Sequence, residues 1–428
     1  MATHQAVVAQ LKTLLDGNPK MAADLKKSLI KAQDVAANGD KTTKPPTPPL
    51  NKDLYNAINK EFNQKGWPTT IEDYFDYLDI YVVMVPNERK GTHNAWTSDG
   101  TKNGYNQKVY DLLCQFYFLV NQKEGGKRTM QSYPEFSDWL VSFATAWGIF
   151  LDTEESLTPA SLKTFKEDKN SEGESMYNYP LYKENEKEWK TFNQFFYREF
   201  NGAAKGTGIS PVRPIAEPNN NTTIVSPADC TFKACYPINE KGQVMAPDNT
   251  RLKHTHSIGT VDELLQYSEF SKDFYGGTFI HYFLNPFDYH RFHTPVSGKI
   301  VQIMAAVGKV YLNVEMTPDG QFDAPDGAED SYEFNQSRGI VVVDSQSEVG
   351  KVAILPIGMA QVSGVDMYTE LQGKEVVKGQ EFGKFKFGGS DIIVLFEKPP
   401  HELYMFQKDP SHNPIHFQYG QTSVYWNK

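Results

Sequence analysis

The sequence predicts an α+β fold, a helical N-terminal domain followed by a mainly β, barrel-sandwich-like domain. Up to about residue 165 the apolar residues recur at helical spacing. Beyond Pro211 they gather instead in short runs of Val, Ile, Phe and Tyr, separated by Gly, Pro and Asp.

Residues 1–39 (VVAQLKTLL, ADLKKSLIKAQDVA) are rich in Ala, Leu and Lys and read as helix. KTTKPPTPPL, 41–50, reads as an extended, semi-rigid Pro-rich linker that closes an N-terminal segment 1–50. A helical accessory domain is expected over 51–165, most clearly in SYPEFSDWLVSFATAWGIFL. There Phe136, Leu140, Phe143, Trp147 and Phe150 recur at spacings of four, three, four and three, the apolar face of a helix packed on a core. Ser132 and Glu135 have capping-box spacing, and Pro134 suits a first helical turn.

A polar connecting segment, 166–204, ends in the aromatic run EWKTFNQFFYREF. The β domain is expected over 205–428, in TTIVSPADCTFKACYPI, GGTFIHYFL, GKIVQIMAAV, KVYLNVEM, GIVVVD, KVAILPIGM, GKFKF and DIIVLFE. TVDELLQYS, 260–268, is its one expected helix, and the Asp/Gly-rich stretch 313–338 reads as an exposed loop.

Composition narrows the function. A net charge of −10 argues against a general binder of nucleic acid or anionic membrane, both of which need basic surface. There is no run of 18 apolar residues and no apolar signal-peptide core, so a soluble, cytoplasmic protein without an integral membrane segment is expected. The three cysteines, Cys114, Cys230 and Cys235, are too few and odd for a disulfide framework and read as small buried residues.

Three segments carry chemistry: SPADC with Asp229, NPFDYHRFHTPVSG with Asp288, His290, Arg291 and His293, and GKFKFGGSDIIVLF with Gly388, Gly389 and Ser390. Each has a bland reading as a turn, a pair of ordinary histidines or a loop. Together they supply a serine that needs a base, a histidine that can be that base, and a carboxylate that can orient the histidine. The glycines before Ser390 let the backbone take unusual geometry and leave the Gly389 carbonyl open to attack. Two readings of other classes stand beside this one. His290 and His293, or His254 and His256, could join Asp229 and Asp288 as metal ligands, although they lack a fixed set of three or four, and no metal is expected. LQGKEVVKGQEFGKF resembles a carrier-type β-hairpin and would suit a non-catalytic binding module.

These segments, with FNQFFYREF, Arg213-Pro214-Ile215 and LPIGMAQVSG, resemble the phosphatidylserine decarboxylase family from about residue 190 onward. The resemblance implies that the β domain is catalytic and that the Ser390 hydroxyl attacks the Gly389 carbonyl. Ester formation and elimination would then split the chain into a large chain 1–389 and a small chain 390–428. A pyruvoyl group made from Ser390 would cap the small chain, form a Schiff base with the substrate amine and release CO2, with no metal or diffusible cofactor. In the same terms His293, oriented by Asp229, is the base for cleavage, and His290 serves decarboxylation. The chain departs from the pattern at Asp391, an acidic residue directly after the serine that could slow cleavage or alter the pocket next to the pyruvoyl, and at Cys230, where relatives carry glycine. FSDWLVSFATAWGIFLDTEES and LYKENEKEWKTFNQFFYREF are similar to a soluble subgroup that includes fungal L-tryptophan decarboxylase. That likeness implies a free L-amino acid, aromatic ones included, as substrate, with phosphatidylserine as the alternative. The family's leaning towards dimers implies a homodimer.

Overall fold

The computed structural model describes residues 2–88, 108–123, 129–169, 173–247, 255–306, 308–324, 334, 336–360, 364–399, 402–405 and 414–427. His254 lies outside these residues. The chain forms two compact units. One is Met1–Pro180 with Trp189–Phe195 and Lys309–Pro325, and the other is Leu181–Glu188, Phe196–Gly308 and Asp326–Lys428. The division therefore differs from one at 204/205.

The first unit is helical: Ala2–Gly17, Pro19–Asn38, Lys52–Glu61, Ile71–Tyr81, Lys108–Val120, Pro134–Leu151 and Pro159–Glu167. The aromatic stripe of Pro134–Leu151 is core, with Phe136, Leu140, Phe143, Trp147 and Phe150 all buried. Tyr81 meets Trp147 edge-on at 5.1 Å and Phe143 at 6.0 Å, a geometry that adds to area burial. Pro134 opens this helix as expected, but the capping box does not form. Proline confines the preceding residue to extended backbone, so Tyr133 (φ −80, ψ 118) becomes the N-cap, and Ser132 is left in the turn before it.

The Pro-rich stretch does not run out as an extended linker. Asp40 and Thr47 exchange backbone hydrogen bonds of 2.9 Å, and the Asp40 carboxylate accepts from Thr42 N and Oγ1, which closes a loop. Part of the stretch read as an exposed loop is also docked. Glu315–Met316 and Phe322–Asp323 pair as a short hairpin, the Gly320 carbonyl accepts from Asn51 N at 2.7 Å, and Phe322 packs on Phe118.

The second unit is mainly β. Its largest sheet has eight strands, in the order Glu375–Val376, Gly298–Ala306, Arg338–Asp344, Lys351–Met359, Gly389–Phe396, Thr278–Leu284, Cys230–Pro237 and His416–Phe417. One face covers a core that includes Phe279, Ile340, Val342, Leu355, Ile393 and Leu395. A three-stranded sheet holds Val365–Met367, Glu381–Phe385 and Arg291–His293, and another holds Thr223–Val225, Thr422–Asn427 and Glu402–Met405. A two-stranded ribbon pairs Gln243–Pro247 with Thr255–Thr260. The helix expected at 260–268 is shorter, Val261–Leu264, closed by a Thr260/Glu263 capping box. The carrier-type hairpin is not found: Glu375–Val376 pairs with Gly298–Ala306, whereas Glu381–Phe385 pairs with Arg291–His293 and Val365–Met367. Among the described residues no helix is long and apolar enough to cross a membrane.

Candidate active site

Ser390 is the second residue of the strand Gly389–Phe396, which is held on both sides. Its Cα partners are Gly358 on Lys351–Met359 and Leu284 on Thr278–Leu284. The side chain is fully buried, and its hydroxyl makes no hydrogen bond. Buried hydroxyls ordinarily find a partner, and this one has none of ordinary geometry. Gly388, two residues earlier, has φ 150, a backbone conformation that side-chain-bearing residues rarely adopt.

Side chains alternate along a strand. Ser390 and Ile392 therefore face one way, and Asp391 and Ile393 face the core of the sheet. Asp391 is buried on the face opposite Ser390, with its Oδ1 3.4 Å from His281 Nε2.

The same alternation separates the two histidines of the DYHRFH run. His293 shares a face with Tyr289, and the Tyr289 hydroxyl lies 3.0 Å from His293 Nε2. Tyr419 stacks on the His293 ring at 3.8 Å. On the other face, His290 stacks on Phe196 at 3.8 Å, and Phe196 meets Phe387 edge-on at 5.0 Å, three residues before Ser390. The His290 carbonyl accepts from Phe385 N at 2.9 Å, which ties this strand to the chain entering the serine.

His293 Nδ1 lies 2.8 Å from the Gly379 carbonyl. A carbonyl can only accept, so Nδ1 carries the proton, and Nε2 presents a lone pair to the Tyr289 hydroxyl. Burial lowers the His293 pKa to about 3, against the Gly379 bond and with help from Arg291. Burial and then Arg198 push His290 well below the usual histidine range, and neither of its ring nitrogens makes a hydrogen bond of ordinary geometry. Both rings are neutral near pH 7.

Asp229 is buried, but it does not hold the His293 ring as expected. Its Oδ2 accepts from Arg213 at 3.0 Å, and its Oδ1 accepts from Tyr419 N at 2.7 Å. A buried carboxylate needs such partners; burial raises its pKa, and Arg213 and the Tyr419 N–H oppose that rise. Asp229 thus reaches His293 through Tyr419, whose ring stacks on the imidazole and whose hydroxyl donates to the same Gly379 carbonyl at 2.7 Å. Ser390 Oγ is hydrogen-bonded to neither histidine. The expected Asp229, His293 and Ser390 share one unit but not one hydrogen-bonded chain.

Sequence reasoning missed Tyr289, Gly379, Tyr419 and the part played by Arg213. Tyr289 was legible from period-two spacing to His293; Gly379 and Tyr419 come from distant segments and carried no local signal. Among the described residues no three His, Cys, Asp or Glu side chains group as a metal site.

The model of the phosphatidylserine decarboxylase family matches residues 192–424. The chain is 35% identical over 209 residues to phosphatidylserine decarboxylase proenzyme 3 of Schizosaccharomyces pombe, a match covering 49% of this chain and 19% of that protein. It is 26% identical over 308 residues to decarboxylase iboD of Amanita muscaria, covering 67% of this chain and 83% of that one. To the L-tryptophan decarboxylase of Psilocybe cubensis it is 28% identical over 221 residues, 49% of this chain and 47% of that enzyme. The chain thus spans about a fifth of the length of the S. pombe relative.

Proposed function

Because the chain belongs to the phosphatidylserine decarboxylase family, we propose that it is a self-processing, pyruvoyl-dependent decarboxylase that cuts itself between Gly389 and Ser390. The observation that carries this reading is the Ser390 hydroxyl, fully buried and unpartnered just beyond Gly388 at φ 150.

In the proposed cut, Ser390 Oγ gives its proton to a base and bonds to the Gly389 carbonyl carbon. The C–N bond breaks, and the nitrogen takes a proton. Loss of the Ser390 α-proton then expels the Gly389 carboxylate, and water releases ammonia to leave the pyruvoyl group. His293 suits the base: it is neutral, and Gly379 fixes its tautomer with Nε2 available. It takes the serine proton once Nε2 has released the Tyr289 hydroxyl. Asp229 acts at one remove, by seating Tyr419 against the ring.

The pyruvoyl carbonyl supplies an electron sink for the carbanion left as CO2 departs, as pyridoxal phosphate does elsewhere. His290, neutral and stacked on Phe196 near Phe387, is proposed to carry the proton that ends that step. The match to the L-tryptophan decarboxylase of Psilocybe cubensis, and the rings of Phe196 and Phe387 near His290, support a free L-amino acid as substrate, aromatic ones included. Phosphatidylserine is the second reading, favoured by the higher identity to the S. pombe enzyme.

The intact mass of purified protein tests the cut. Chains 1–389 and 390–428, the second with an N-terminal pyruvoyl, are expected; one chain with Ser390 unmodified would refute the proposal. CO2 release from L-tryptophan against phosphatidylserine then separates the substrates.

A further inference from the structure

We propose that His416 is a positioning residue: its imidazole holds the Asp288 carboxylate and so fixes the turn that delivers His290 and His293. His416 lies on the edge strand of the large sheet, beside Thr231, within the segment that becomes the small chain in the proposed cut. Its Nε2 is 3.2 Å from Asp288 Oδ1, and its Nδ1 is 2.9 Å from Thr231 Oγ1. Nε2 carries a proton towards Asp288 in the imidazolium and in the neutral Nε2–H tautomer alike, and the Thr231 hydroxyl accepts from Nδ1 in the first and donates to it in the second.

Asp288 organises the turn it sits in. Its Oδ2 accepts from Asn285 N at 2.7 Å and Asn285 Nδ2 at 3.3 Å, and its backbone carbonyl accepts from Arg198 at 3.1 Å. The carboxylate is buried, whereas the His416 side chain is 40% exposed, so the cation partnering this carboxylate is the one that water and pH reach. Two residues after Asp288 the chain becomes His290, and five after it His293. A shift of the turn moves both rings, and small misplacements at a reacting centre cost rate steeply.

The charged groups facing His416 are Asp288 and Asp229 on the acidic side and Arg213 on the basic side. Burial works against the imidazolium, but the Asp288 carboxylate outweighs it, and the pKa rises to about 9. The charge-assisted clamp is therefore complete below the ordinary histidine range and weakens to a neutral Nε2–H hydrogen bond as pH rises through about 9.

The kinetic arm of the test rests on the decarboxylase reading. CO2 release from L-tryptophan or phosphatidylserine, whichever the wild type turns over, is followed against pH for wild type, His416→Gln and His416→Lys. The substrate amine titrates in the same range, so the readout is the difference between proteins. His416→Gln is expected to lower kcat/KM about tenfold at pH 7 and to remove the part of the alkaline limb owed to His416. His416→Lys is expected to restore rate and move that limb upward. Identical limbs in all three proteins would overturn the proposal. A second arm needs no turnover: NMR of 13Cε1-labelled histidine, with His416 assigned from His416→Gln. A titration near 9 that falls towards 6.5 in Asp288→Asn supports the clamp, and an ordinary titration in wild type overturns it. If neither substrate releases CO2, the decarboxylase reading fails, and the clamp is decided by this second arm.

Discussion

His293 Nδ1 donates to the Gly379 carbonyl at 2.8 Å, and that bond sets which nitrogen of the ring can act as a base. The orienting group is main chain, not the Asp229 carboxylate. Gly379 is suited to it because its φ of 81 lies in the left-handed region, and a Cβ there would meet Ile215 Cδ1 at 2.5 Å.

Gly379→Ala is therefore expected to displace the carbonyl and slow self-cleavage, so that full-length chain accumulates on a denaturing gel. Normal processing in this variant would remove the carbonyl from the mechanism.

The low pKa of His293, about 3, predicts the pH dependence of the cut. The ring is already neutral across pH 5 to 8, so the cleavage rate of precursor made by cell-free synthesis should be flat over that range. A fall below pH 7 with an ordinary histidine pKa would contradict the buried, neutral base. The linked stability has the same sign: it is present above pH ~6.5 and lost as pH falls towards 3.

Tyr289→Phe tests whether the tyrosine competes with Ser390 for Nε2. Removing the hydroxyl frees the lone pair, so cleavage should be at least as fast as in wild type, while the loss of a buried hydrogen bond costs ~1 kcal/mol in urea unfolding. Blocked cleavage would make the hydroxyl a relay.

Ser390→Ala should give one uncut chain and no CO2. His290→Ala should still be cut, but with decarboxylation slowed about 10²-fold, as for loss of a proton carrier. Cleavage and turnover failing together in His290→Ala would place it in the cut instead.

Asp391→Ala should lower stability by ~1–3 kcal/mol, because it removes one partner of a fully buried polar contact with His281. Cleavage should persist, since Asp391 faces away from Ser390. An uncut but stable Asp391→Ala chain would show that the carboxylate acts on the serine after all.

What could be read in advance was whatever repeats along one element. The four-three spacing from Phe136 to Phe150 identified a buried helix face, and the Val- and Ile-rich runs identified strands, except KVYLNVEM, which is strand only at Glu315–Met316 and belongs to the helical unit. The motif residues Asp229, His290, His293 and Ser390 all lie in one unit. Contacts between distant segments were not legible. Gly379 is 86 residues from His293, and Tyr419 is 190 from Asp229. The failed capping box at Ser132 shows a local motif overridden by the neighbouring proline. Hairpin Glu315–Met316/Phe322–Asp323, read as exposed, belongs to the helical unit through its Gly320 and Phe322 contacts.

The strand that carries Ser390 has a neighbour along each edge, and the residues that seat His293 include Tyr419, 29 positions beyond Ser390. Maturation in the proposed scheme therefore waits until the chain through Tyr419 has been made and folded, because that ring closes on the imidazole. Once the bond is broken, the new N-terminus stays laced into the sheet by the ladders that preceded it. The two chains would part when the whole β unit melts, and a nascent chain stopped before Tyr419 would remain a zymogen.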